Sequence, residues 1–346
     1  MTLVAAASFN GAYDKWRFRD GEKRYGVELM LAGEADRPFA YRTLNPWIVG
    51  TVADHTPEAL KARAKEMAFT YSGKSKIGPS HLVDADPDAF WRYTLLYYLT
   101  FAEWLGAILL MAAVASHFAG PGAGTAAAAV LALIFPVFLS EGGYFYDFPE
   151  VLFFAAAAYA AIRGWIPLLA GAALIGVVNK ETMVFFLPTL FVFLKEQTGA
   201  RKALMTLGAL TLASAALYLL IRSHYAGNPG STAEFNFLAN LAWYADLRHL
   251  FEVEKTYGLL LFRAYSAVGI GFVVLLAVAG WRTATRPVRR HALFVLLLNA
   301  PLFIALGYHG EMRGLSLTYV AWTILAACAI RAWMSRHETA HPKITV

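Results

Sequence analysis

The sequence predicts an all-α integral membrane protein of about eight to ten transmembrane helices with a long first extracytoplasmic loop. Three observations carry that expectation. Of 346 residues, 58% are hydrophobic and only 16% charged, and the mean hydropathy of +0.48 is too high for an ordinary soluble domain. Long apolar runs recur along the chain, separated by short basic linkers. Between two of those runs, the turn S-E-G-G-Y-F-Y-D-F-P-E holds Glu141, Asp147 and Glu150 at a membrane boundary, where carboxylates are poorly solvated.

Taken in order, residues 1–12 are apolar but cover only about two-thirds of the ~20 residues that a crossing helix needs. They lack the basic start and cleavage site of a signal peptide, so either residues 13–18 complete a first helix or the natural start lies upstream. Residues 16–91 form the one long polar section. Within it Thr56, Pro57 and Glu58 open a helix that lies on a surface, and residues 72–88, broken by glycine and proline, read as loop.

Residues 93–116 are the first full-length span, edged by Trp91, Tyr93, Tyr97 and Tyr98 as an aromatic belt requires. Residues 125–139 return, the acidic turn follows, and 151–162 cross again. The runs 167–178 and 183–194 are short and flank Asn179-Lys180-Glu181-Thr182, the pattern of broken helices meeting at a polar point. Runs 202–221, 258–281, 292–306 and 315–333 complete the set. Alanine-rich stretches such as 126–129 and 155–158 suit close helix packing.

Lys195, Arg201, Lys202, Arg282, Arg286, Arg289, Arg290, Arg331 and Arg336 lie in short linkers or the tail, which the positive-inside rule places in the cytoplasm. Counting crossings from there brings 16–91, 140–150, 179–182, 223–257 and 307–314 together outside. The expected organisation is one polytopic domain over 1–346: an extracytoplasmic loop region with an amphipathic helix at 16–91, a transmembrane bundle at 92–334 and a cytoplasmic tail at 335–346.

The net charge of +6 follows this topology, not one basic face, so no nucleic-acid partner is expected. A single cysteine, Cys328, excludes an internal disulfide and a cysteine-based metal cluster. The G-x-x-x-x-G-K-[ST], H-E-x-x-H and G-x-S-x-G signatures are missing, so ATP hydrolysis, zinc proteolysis and serine-hydrolase chemistry lack their usual residues. The external face, by contrast, gathers carboxylates beneath a loop large enough to roof a cavity.

An acidic residue just after the first helix (Asp14, in Y-D-K-W), the long first external loop and the second acidic turn around Asp147 resemble the GT-C superfamily of polytopic glycosyltransferases. The segments Y-R-T-L-N-P-W at 41–47, N-K-E-T at 179–182 and H-G-E-M-R at 309–313 look like segments recurring in bacterial members of that type. This resemblance spans most of the chain. It implies inverting transfer of a sugar from a polyprenyl-phosphate donor to a lipid, glycan or protein acceptor, on the outer side of a bacterial cytoplasmic membrane and among its lipids.

In that family a carboxylate of the first external loop acts as general base on the acceptor hydroxyl, and Asp14 holds the matching place. The second-loop acid of metal-dependent members maps to Asp147, with Glu150 or Glu141 beside it as oxygen ligands for magnesium or manganese. Here the paired D-x-D or E-x-D spacing is missing, since Glu150 follows Asp147 by three. Asp147 would otherwise position the acceptor or pair with an arginine. Arg42, Lys180 and Arg313 are candidates for the carrier phosphate, and Tyr41, Glu181, His309 and Glu311 complete the candidate substrate-binding set.

Each of these residues has a plainer reading. Asp14 can pair with Lys15 or Arg17 on the surface, and Asp147 can cap the next helix. Lys180 and Glu181 can neutralise each other. Arg42 can snorkel beside Tyr41, and 309–313 can be a solvated turn. Glu103, mid-span, is either a hydrogen-bonded structural acid or part of a cavity. Two other functions fit the same residues: a transporter or lipid flippase, and another membrane transferase or polymerase of lipid-linked glycans.

Overall fold

The computed structural model describes residues 1–71 and 80–340, without the side chains of 71, 80, 81 and 337–340. Part of the predicted 72–88 loop and the end of the tail therefore lie outside the described residues. Helix α1 (Thr2–Trp16) leads into a polar region containing α2 (Val27–Ala32), α3 (Leu44–Asp54) and α4 (Glu58–Tyr71). The α4 helix is the one expected after Thr56. Its buried Lys61 reaches Glu58 Oε1 at 2.7 Å and Asp88 Oδ1 at 2.5 Å, which ties it to the start of the following helix.

Helix α5 (Pro87–Ala119) starts with Pro87 in its first turn and Asp86 as cap, the Asp86 carboxylate accepting from Ala89 N at 2.9 Å. It packs against α6 (Pro121–Phe138) and α7 (Asp147–Arg163). Small side chains make this contact close. Ala107, Ala115, Ala127, Ala128, Ala155 and Ala158 are completely buried. Trp104 anchors the centre, its Nε1 donating to Ser8 Oγ of α1 at 2.7 Å.

The two short runs become α8 (Ile166–Asn179), α9 (Thr182–Thr189) and α10 (Phe191–Thr198), broken at Lys180-Glu181 as the polar tetrad predicts. Then come α11 (Ala200–His224), α12 (Phe237–Ala245), α13 (Ala267–Thr283), α14 (Arg286–Leu306), a 3₁₀ segment at Met312–Thr318 and α15 (Tyr319–Ala340). Among the described residues, five helices are long and apolar enough to cross a membrane: α5, α6, α11, α14 and the Met312–Arg336 unit; α8 and α13 are shorter apolar helices. The mostly helical chain has the composition of a membrane-embedded protein. The expected number of spans, about eight to ten, would draw on the shorter helices as well.

One element departs from the all-α expectation. The predicted span at 258–281 begins instead as a hairpin, β1 (Val253–Thr256) against β2 (Leu259–Phe262), and its helix starts only at Ala267. Tyr257 and Gly258 both have positive φ, 58° and 78°, the geometry of a two-residue hairpin turn. Ser266 then caps α13 by accepting from Gly269 N at 3.0 Å. The hairpin tip docks on α1 and α6: the Tyr257 hydroxyl donates to Leu133 O at 2.9 Å, and its ring fills the space a Cβ on Gly11 would occupy.

Candidate functional site

Four segments far apart in sequence bring ionic side chains to one place. Asp147 opens α7 and Glu150 lies one turn on; Lys180 and Glu181 sit in the α8–α9 break; Glu311 and Arg313 come from the turn before α15; Arg42 precedes α3. Asp147 and Glu150 are only 2% and 3% exposed, so each needs partners for its charge. Both have them.

Asp147 Oδ1 accepts from Arg313 Nη1 at 3.1 Å and from Lys180 Nζ at 3.3 Å, and Oδ2 from Tyr144 N at 3.0 Å. Glu150 Oε2 accepts from Lys180 Nζ at 2.7 Å, and Oε1 from Thr182 Oγ1 at 2.6 Å and Ser316 Oγ at 2.9 Å. Arg313 also forks onto Glu311 Oε1, from Nε at 2.8 Å and Nη2 at 2.5 Å. Arg42 Nη2 donates to Glu181 Oε1 at 2.8 Å. Three cations thus face four carboxylates. Asp147 does not act as the cap of its own helix: Tyr146 is the cap residue and makes no side-chain cap bond, while Asp147 holds an amide outside the helix.

Two tyrosines form the floor of the cluster. The rings of Tyr144 and Tyr146 stack at 4.9 Å and 16°. Arg313 lies 4.6 Å from the Tyr144 centroid, and Arg42 and Lys180 lie 5.4 and 5.5 Å from that of Tyr146. Burial pushes both phenols far above their usual range, so they stay neutral. Burial also opposes the charge on Arg42, but Glu181 and the neighbouring phenols outweigh it and hold the guanidinium above its usual range. Among the described residues, Arg42 Nε and Glu181 Oε2 are buried without a hydrogen-bond partner. A mainly apolar cleft of about 490 Å³ begins at Thr43 and Val178, close in sequence to Arg42 and Lys180, and is lined further by Met30, Trp47, Leu217 and His224.

The other predicted residues lie elsewhere or play quieter parts. Asp14 is on the exposed side of α1, where Asn10 Nδ2 donates to it at 2.9 Å. It pairs neither with Lys15, which bonds Glu254 at 2.8 Å, nor with the buried cluster. The reason is that α1 runs on to Trp16, so the helix itself sets the direction of Asp14. Glu141 turns away from Asp147 to Arg263 Nη1 at 2.6 Å. His309 stacks with Tyr308 and Trp243. Tyr41 is buried against Tyr218 with its hydroxyl unpartnered among the described residues. Glu103 accepts from Asn45 Nδ2 at 2.8 Å, the hydrogen-bonded structural arrangement.

Asp147 and Glu150 as arranged do not fit a divalent ion. An ammonium touches both carboxylates, Arg313 adds a second cation at Asp147, and among the described residues no group of three or more His, Cys, Asp or Glu side chains is placed to hold a metal.

Sequence reasoning missed Asn179, Thr182, Ser316 and Arg19. Asn179 Nδ2 donates to Tyr146 O at 2.9 Å. Arg19 donates to Glu141 O at 2.7 Å and lies 5.3 Å from the Tyr144 ring, beside Trp16 at 4.3 Å. The dense W-R-F-R sequence was its available signal.

No protein-family description, curated protein or solved structure matches this chain.

Proposed function

We propose that the protein is a membrane glycosyltransferase that moves a sugar from a polyprenyl-phosphate donor to a lipid, glycan or protein acceptor. The observation that carries this reading is the convergence of Arg42, Lys180 and Arg313 on one two-tyrosine floor beside the buried carboxylates Asp147 and Glu150. Guanidinium and ammonium groups match the phosphodiester of a polyprenyl-phosphate sugar and the phosphate monoester that transfer leaves behind. The cleft at Thr43 and Val178 has the mainly apolar lining a prenyl chain needs, and Arg42 Nε is a buried donor left without a partner among the described residues.

In this reading the donor phosphate takes over Lys180 and Arg313. Asp147 then loses the two cations that suppress its basicity and becomes competent to accept the acceptor's proton. The acceptor oxygen forms a bond to the anomeric carbon as the bond from that carbon to the phosphate oxygen breaks. The leaving electron pair stays on the carrier phosphate, and the proton goes to the Asp147 carboxylate. Arg42, Lys180 and Arg313 hold the developing negative charge. Asp14, outside the cluster, has no part in this step, and the active site faces the extracytoplasmic side assigned by the linker arginines.

The test is mass spectrometry of lipid-linked and surface glycans from cells with the wild-type protein, with Asp147→Asn, with Asp14→Asn and with none. A hexose- or pentose-sized addition present with wild type and Asp14→Asn but absent from the other two is expected. Asp147→Asn should reduce turnover by at least about 10²-fold while donor binding is retained or tightened, because the amide no longer competes with the phosphate for Lys180 and Arg313. Full turnover in Asp147→Asn would remove it as base.

The α8–α9 break, which delivers Lys180 and Glu181 to the cluster, also suits a transporter or flippase. Vectorial movement of a lipid-linked sugar without any new covalent product would decide for that reading.

A further inference from the structure

The segment between α11 and α13 carries apolar side chains in a pattern that water does not favour. In the hairpin, Val253 pairs with Phe262 and Lys255 with Leu260 on one face, and Glu254 pairs with Leu261 and Thr256 with Leu259 on the other. The second face is turned to the protein along most of its length: Glu254 bonds Lys15 and Thr256 is buried, while Leu259 at the turn end is 63% exposed. The first face, which in a solvated two-stranded sheet would be polar, carries Val253, Leu260 and Phe262, exposed by 51%, 75% and 46%. Earlier in the same segment, Phe251, Leu247, Leu238 and Phe235 are exposed by 69–76%.

In sequence the segment is flanked by helices that expose apolar side chains in the same way. It follows α11, whose most hydropathic window is only 11% buried, and leads directly into α13, which exposes Val268, Phe272 and Leu275. Lys255 is the one charge on the outward face, and a lysine stem can lie along apolar surface with its ammonium in the headgroup layer. The outer edge of β2 has no strand beside it among the described residues. Unpaired backbone groups are intolerable in hydrocarbon but satisfied by water and headgroups at the interface.

We propose that the 235–262 segment is an interfacial membrane anchor: its outward hairpin face and the flanking Phe251 and Leu247 insert into the lipid headgroup–acyl boundary. Insertion is shallow, roughly 5–10 Å, as for other interfacial elements. The hairpin is latched to the ionic cluster's surroundings through Lys15–Glu254 and Arg263–Glu141, so the anchor fixes the acidic turn at the bilayer surface. This inference is independent of glycosyl transfer and holds equally for a transporter.

The test uses the full chain with Cys328→Ser, so that one introduced cysteine can carry an environment-sensitive fluorophore. Leu260→Cys is compared with Lys23→Cys, an exposed position in the polar region after α1, in bilayers whose lipids are brominated either near the glycerol or near the chain ends. Label at 260 should emit at shorter wavelength than label at 23, lose most of its emission to the near-glycerol bromines and resist aqueous iodide. Emission at 260 matching that at 23, with iodide quenching, would overturn the anchor. Quenching mainly by chain-end bromines would overturn the interfacial depth. A blue-shifted label untouched by either brominated lipid, with a shift that grows with protein concentration in detergent, would assign the face to a second copy of the chain and overturn it likewise.

Discussion

Lys180 is the residue on which most of the cluster's charge balance depends, because it touches both buried carboxylates. Its replacement by methionine leaves Glu150 without a cation and Asp147 with Arg313 alone. Removing one partner from a buried ionic set costs about 3–5 kcal/mol, far more than the pair contributes relative to a well-packed apolar substitute. Lys180→Met is therefore expected to lower thermal stability in detergent steeply. The double variant Lys180→Met with Glu150→Gln should be less destabilised than the sum of the two single changes, as a coupled pair requires; strict additivity would contradict the geometry. Much of this cluster was legible in the sequence, since a lysine, two carboxylates and an arginine among apolar runs have few places to go but toward one another. Thr182 stood in the polar tetrad at 179–182 without being read as a partner of Glu150, and Ser316 was not legible, because hydroxyl residues are cheap in apolar helices and nothing marks the one that faces Glu150. Asp14 was misleading for a geometrical reason: a carboxylate at the end of a helix looks like a loop residue until the length of that helix is known.

At the scale of elements, α13 meets α15 at backbone contact distance around Gly280. A Cβ added to Gly280 would collide with the backbone carbonyl of Leu325, and backbone cannot swing aside as a side chain can. Gly280→Leu should force the two helices apart and cost about 1–3 kcal/mol, read as a lower unfolding temperature. Gly208→Leu, on α11 with nothing near the added atom, is the matched control and should stay within about 0.5 kcal/mol of the parent. Since leucine favours a helix more than glycine does, equal losses in both would show that the backbone contact at Gly280 does not control the outcome. The helices of the apolar runs were readable from those runs, and α4 from its start at Thr56-Pro57; α2, α3 and α12, inside segments read only as external loops, were not, and α5 starts at Pro87, inside the segment read as loop. The hairpin was not readable either, because Leu259-Leu260-Leu261-Phe262 lacks the alternation that marks a half-buried strand, and an apolar run leading straight into α13 has the appearance of its first turn. Only Tyr257-Gly258, where both residues adopt positive φ, separates the two.

Across the whole molecule, the polar region after α1 and the loops before α13 and α15 close over the same end of the bundle that carries Asp147. Lys15 and Glu254 join α1 to the hairpin; Arg263 joins the hairpin to the acidic turn; Arg313 joins that turn to the start of α15. Charge pairs between distant segments thus determine which loops meet, while apolar and alanine contacts determine how the helices stand. This division explains what was readable from one sequence: the second set of contacts follows from local periodicity, and the first depends on partners more than a hundred residues away.

The ionic cluster also imposes an order on the making of the protein. Asp147 and Glu150 leave the ribosome about thirty residues before Lys180 and well over a hundred before Arg313 and Ser316. If α7 crosses the membrane, as the run 151–162 predicts, during that interval it does so with carboxylates whose final partners have not been synthesised. A chain ending after Leu306 would keep Lys180 but lack Arg313 and the Ser316 hydroxyl, so α7 should be held in the membrane less efficiently than in the full chain, as read by a reporter fused to that truncated end. Asp147→Asn should restore retention in the truncated chain. If truncation left retention unchanged, the early carboxylates would already be satisfied by Lys180, and the final segment would serve the finished site without helping to assemble it.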